Sequence, residues 1–194
     1  MLRHALVEHL IFPASVKMNI RNALMNDPMQ SKRRAMEVAA YACLDSAHFQ
    51  QLINCFLSND YRLAQRAALS VSIAARQRPD MIVPHINTLV DMLPRTDVHD
   101  AVIRNSVRIL QEIEIPAELH GKVMDICFAF IQNREIPVAI RVFSLTILDN
   151  FSKIYPEIRN ELGIIIEEAM EFEKPAFRAR GKKILARIKN QKHS

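Results

Sequence analysis

The chain has 194 residues, a formal net charge of +5 and 49% hydrophobic residues, enough for a sizeable core in one ordinary domain or one short solenoid. Its only three glycines, Gly121, Gly163 and Gly181, exclude architectures that need positive φ at fixed points: tight hairpins, phosphate-cradling loops and dinucleotide crossovers. Cys43, Cys55 and Cys127 stand singly within apolar runs, without the paired spacing of a disulfide framework or zinc site, and this usage predicts a reducing cytoplasm.

Residues 1–15, MLRHALVEHLIFPAS, read as an N-terminal helix or cap. Glu8 and His9 interrupt the apolar stretch, so no secretory signal is expected, and no uninterrupted apolar run reaches membrane-spanning length. A soluble chain with no membrane span is expected. Beyond it, five units follow within a single domain over 1–194: 16–44, 45–78, 79–115, 116–155 and 156–190.

The first unit is short, with its second helix expected at 32–43. In the second unit, Phe49, Leu52, Ile53, Phe56 and Leu57 form one helical stripe and Ala64, Ala67, Ala68, Val71, Ala74 and Ala75 another over 61–78. The third opens at Pro79 and carries Ile82, Ile86, Leu89, Val90 and Leu93 on one face. Pro84 falls inside that stretch, so the helix either starts late or kinks; its second helix is expected at 98–114. In the fourth, Pro116 opens the first helix and Pro137 the second, at 137–153. In the fifth, Pro156 opens a helix carrying Ile158, Leu162, Ile165, Ile166 and Ala169, and Pro175 opens 175–189.

A charge pattern keeps the same period. Arg34, Arg66, Arg104, Arg141 and Arg180 are 32, 38, 37 and 39 residues apart, and Asp27, Asp60, Asp97, Glu135 and Glu173 precede them by six or seven positions. The second helices together carry +12, whereas the segment 156–173 carries −5, so charge is partitioned between helix layers.

A unit of two antiparallel helices, with an acidic residue in the turn and an arginine early in the second helix, resembles the HEAT repeat family over roughly residues 16–188. The resemblance implies an all-α fold, a right-handed α-α superhelix of HEAT-like or armadillo-like type with about five antiparallel helix pairs. It also implies a structural ladder in which turn carboxylates and arginines of neighbouring repeats bond to each other: Asp60, Arg66, Asp97, Arg104, Glu135, Arg141, Glu173 and Arg180. In such superhelices the second helices line the concave face, which makes Arg62, Arg66, Arg76, Arg78, Arg104, Arg108, Arg141 and Arg180 the candidate lining of a basic groove. That groove would attract phosphate backbones or an acidic protein segment. The basic run from Lys174 to the C-terminus has two readings, a solvated capping helix or a docking site for an anionic partner.

Nothing in the chain spells catalysis. His4, His9, His48, His85, His99, His120 and His193 lack metal-ligand spacing, and no nucleophile elbow, phosphate loop or dinucleotide fingerprint occurs. No cofactor and no metal are expected. HEAT-like DNA alkylation repair glycosylases resemble this architecture, but they hold the damaged nucleotide with tryptophans and an aspartate, and this chain has no tryptophan. The expectation is therefore a non-catalytic scaffold or adaptor for a protein partner. The alternative is nucleic-acid backbone binding through the basic groove.

Overall fold

The structure is a computed structural model that describes residues 18–26 and 31–191. Asp27, His4, His9, His193 and the 1–15 cap lie outside the described residues. Those described are helical with short connections and contain no strand. The α-helices are α1 (Ile20–Met25), α2 (Lys32–Ala42), α3 (Ser46–Phe56), α4 (Tyr61–Gln77), α5 (Pro79–Ile82), α6 (Ile86–Met92), α7 (Asp100–Leu110), α8 (His120–Gln132), α9 (Val138–Ile154), α10 (Arg159–Ala169) and α11 (Pro175–Gln191).

Helix starts follow two local chemistries. Up to α4 a side-chain oxygen caps the first turn: Asn19 Oδ1 accepts from the Asn22 amide at 2.9 Å, Ser31 Oγ from Arg34 at 3.1 Å, Asp45 Oδ1 from His48 at 2.9 Å and Asp60 Oδ1 from Leu63 at 3.1 Å. Proline dominates afterwards. Pro175 is the first residue of α11, and Pro137 precedes α9 in an extended conformation with no side-chain cap. Pro116 and Pro156 instead introduce single 3-10 turns, Ala117–Leu119 and Pro156–Ile158, so the α-helices proper begin at His120 and Arg159. At Pro84, which has no amide proton, a 3-10 turn over Val83–His85 separates α5 from α6. No described residue has positive φ; the chain turns without the left-handed caps that glycine usually supplies.

The chain divides into two compact units. One comprises the described part of Met1–Pro84 with Asp97–Asn105, the other His85–Thr96 with the described part of Ser106–Ser194, and α7 begins in the first and ends in the second. In the first unit α3 packs on α4, while α1 lies beside α3 and α2 beside α4, giving two layers. The apolar seam between them includes Leu24, Val38, Phe49, Leu52, Phe56, Ala67 and Val71, all at most 4% exposed. The second unit repeats the scheme: α8 pairs with α9 and α10 with α11, with α8 beside α10 and α9 beside α11. Val123, Cys127, Leu145, Leu148, Leu162, Ile166 and Phe177 are completely buried there. An amphipathic helix pair cannot bury its own stripe alone, so within each unit the pairs just described use each other as the other half of their core.

Candidate functional site

The recurring arginines occupy different environments. Arg66 on α4 is 5% exposed, and its Nη1 donates to the carbonyls of Leu24 at 2.8 Å and Met25 at 3.1 Å. These belong to the last turn of α1, where carbonyls have no intrahelical donor and the helix dipole favours a cation. Arg141 on α9 is 4% exposed. Its Nη1 and Nη2 donate to Glu173 Oε2 and Oε1 at 3.0 and 2.5 Å, and Nη2 also to the Ile131 carbonyl at 2.9 Å. The guanidinium carbon lies 4.8 Å from the centre of the Phe177 ring. A planar fork is held by a carboxylate and an aromatic face at once, which suits arginine and no other cation.

Arg104 is exposed. The neighbouring position is buried instead: Asn105 is 3% exposed, and its Nδ2 donates to the Ala101 carbonyl at 2.8 Å. Ala101, Val102, Asn105, Ser106 and Ile109 turn inward on that helix, and the next position round the 3.6-residue period carries Arg104 out. Arg180 is half-buried on α11. Arg34 is also half-buried, with Nη1 2.8 Å from Glu37 Oε2 on its own helix.

The turn carboxylates diverge as well. Asp60 is the cap of α4, and its Oδ2 receives a 3.3 Å ion pair from Arg21. Glu173 is 7% exposed and belongs to Arg141 of the preceding pair. Asp97 and Glu135 are exposed; the Glu135 amide donates to Asn133 Oδ1 at 2.9 Å.

Among the further groove candidates, Arg62 and Arg76 are exposed and Arg108 is half-buried. Arg78 follows α4 and chelates Asp80, with Nε to Oδ1 at 3.0 Å and Nη2 to Oδ2 at 2.7 Å, while Nη1 donates to the Cys43 carbonyl at 3.1 Å. Arg66, Arg78 and Arg141 thus direct terminal guanidinium donors into the fold. Arg187, counted above only as part of the basic run, is another such residue: it pairs with Asp149, Nε to Oδ1 at 2.7 Å, and its Nη2 reaches Ser152 Oγ at 2.6 Å. It joins α11 to α9, 38 positions away, and neither partner falls on the recurring positions, so the period gave no signal of it.

The histidines form no metal cluster: among the described residues no group of three or more His, Cys, Asp or Glu side chains could hold an ion. His120 is a structural link. Its Nε2 lies 2.7 Å from the Ile115 carbonyl and its Nδ1 2.8 Å from the Tyr155 hydroxyl. A carbonyl only accepts, so Nε2 carries a proton and donates to it, while Nδ1 shares its hydrogen bond with the Tyr155 hydroxyl. Burial pushes the Cys43 thiol up to about 11 and Cys127 up to about 12, which keeps both in the unreactive thiol form.

Beside His120 the second unit opens a pocket of about 260 Å³, walled by Ile113, Ile115, Ile147, Phe151 and Ile154, with Glu114 and Asn150 at its polar side. Ile154, at the C-terminal end of α9, is 60% exposed. The pocket is half-open, and most of its wall is apolar.

No described helix is long and apolar enough to cross a membrane. A family model described as a HEAT repeat domain matches residues 20–188. No curated protein and no solved structure matches the chain.

Proposed function

Because this chain belongs to the HEAT repeat family, whose helical repeat scaffolds are typically used in protein interaction, we propose that it acts without catalysis as a scaffold or adaptor that binds a protein partner. The observation that carries this reading is the isoleucine-rich pocket at the end of α9, with Ile154 60% exposed at its edge. Its occupant is an apolar side chain of an extended partner segment: a leucine or phenylalanine fits within such a volume and contributes about 1.5–3 kcal/mol on burial.

Nucleic-acid backbone binding is the competing reading, and Arg62 and Arg104, exposed on α4 and α7, are what favours it. It is weakened because Arg66, Arg78 and Arg141 are engaged internally, which reduces the charge available to phosphates.

A photo-crosslinking amino acid at position 154, with another at exposed Ile164 as control, separates the two readings in nuclease-treated lysate. The scaffold reading expects a discrete protein adduct from position 154 and none from 164. It also expects weak binding to a 20-nucleotide duplex. Salt-steep duplex binding, with log affinity falling by about 0.9 per phosphate neutralised, abolished by Arg62→Glu with Arg104→Glu and accompanied by no adduct, overturns it.

A further inference from the structure

A second opening in the same unit has different chemistry. It lies between the α8–α9 turn and the α10–α11 turn, encloses about 300 Å³, and is walled by Arg134, Pro137, Val138, Phe172 and Lys174, with the Arg141–Glu173 pair at its buried end. Phe172 is 64% exposed, an unusual position for a large aromatic residue, and the Arg134 guanidinium sits 4.8 Å over its ring. Arg134 and Lys174 are both exposed.

The charges do not cancel. Three cations, Arg134, Arg141 and Lys174, line the opening against two carboxylates, Glu135 and Glu173, leaving one positive charge in excess. Glu173 is already neutralised by Arg141. The Arg141 Nε is buried without a hydrogen-bond partner, so the guanidinium is not fully compensated. Helix α9 starts at the rim with no side-chain cap and no acidic residue in its first turn, so its leading amides present partial positive charge to the same space.

We infer that this opening is a binding site for a single carboxylate, an aspartate or glutamate side chain of a partner protein, whose apolar neighbour packs against Phe172. One excess charge matches a monoanion. A phosphate dianion would leave the site negative, beside Glu135. Arg134 offers the planar fork that pairs with a carboxylate, and Lys174 a point charge on the opposite wall. The inference rests on the protein-binding reading above but concerns residues separate from the Ile154 pocket, so either site can fail while the other stands.

The test is a titration of the isotopically labelled full chain, followed by NMR, with three capped dipeptides: Ac-Leu-Glu-NH2, its neutral counterpart Ac-Leu-Gln-NH2, and Ac-Leu-phosphoserine-NH2. The glutamate peptide is expected to shift the Val138 and Ala139 amides and the Arg134 Nε–H, and to bind about tenfold more tightly than the glutamine peptide, the equivalent of about 1.4 kcal/mol. Arg134→Gln with Lys174→Gln should remove that difference, and Phe172→Ala should weaken the glutamate and glutamine peptides alike. All three substitutions are of exposed side chains, so a dispersed spectrum verifies the fold. Equal binding of the glutamate and glutamine peptides, shifts confined to other helices, or phosphoserine binding more than tenfold tighter than glutamate would each overturn the assignment.

Discussion

Arg141 and Glu173 meet in two hydrogen bonds, at 3.0 and 2.5 Å, with side chains only 5% and 3% exposed. One belongs to the second helix of a pair and the other to the turn of the next, so their bond fixes the register of α11 against α9. Breaking such a pair leaves a buried charge uncompensated, which costs about 3–5 kcal/mol, whereas removing both charges costs less. Arg141→Met and Glu173→Gln should each lower stability by that order in denaturant melts, with the double variant closer to the parent than the sum of the singles. Additive losses would show that the two residues do not stabilise each other.

Arg66 and Arg104 carry the same recurring position into opposite environments. Arg66→Ala strips two donors from the C-terminal carbonyls of α1 and should cost about 1–3 kcal/mol. Arg104→Ala, at an exposed site, should change stability by less than about 0.5 kcal/mol. Thermal unfolding of the two variants side by side checks the contrast, and equal losses would contradict the placement of Arg104 on the solvent face.

The glycines separate in a similar way. A Cβ at Gly181 would lie 2.8 Å from Ile166 Cγ2 on α10, whereas one at Gly163 meets only Leu185 Cδ2 at 4.0 Å. Gly181→Ala should therefore melt lower, because overpacking of about 1–3 kcal/mol outweighs the helix-propensity gain. Gly163→Ala, inside α10, should melt higher by roughly 0.5–1 kcal/mol in stability.

The thiols predict a pH effect. Cys43 and Cys127 are raised in the fold from 9.0 to about 11 and about 12, so the unfolded chain releases these protons first as pH rises. The stabilisation they represent is complete below pH 9 and is lost progressively towards 11 and 12. At pH 8 both should resist iodoacetamide in the folded protein and react once the chain is unfolded in guanidinium; rapid labelling of native Cys127 would contradict its complete burial.

Periodicity in the sequence was sufficient for the helix pairs, because an apolar stripe at helical spacing has one economical solution, burial against a neighbouring stripe. The scarcity of glycine likewise foretold short turns, and the described residues contain no positive φ. Proline placed the helix starts less closely: at Pro116 and Pro156 the first turn tightens into a 3-10 turn before the α-helix begins.

The roles of the charged residues were set elsewhere. Linear spacing brought Arg66, Arg104, Arg141 and Arg180 into one series, but a shift of one residue on a helix turns a side chain by about 100°, and that rotation sends Arg104 into solvent while Asn105 takes the buried place. The Arg187–Asp149 pair, and the closure of α10 on α11 that leaves no room for a Cβ at Gly181, are relations between helices that no interval along the chain encodes. The sequence alone indicated an all-helical fold of paired helices and which faces they bury, because hydrophobic burial reads a local period. Tertiary packing decided which cations remain outside and where the openings lie, because those depend on the distance and angle between helices.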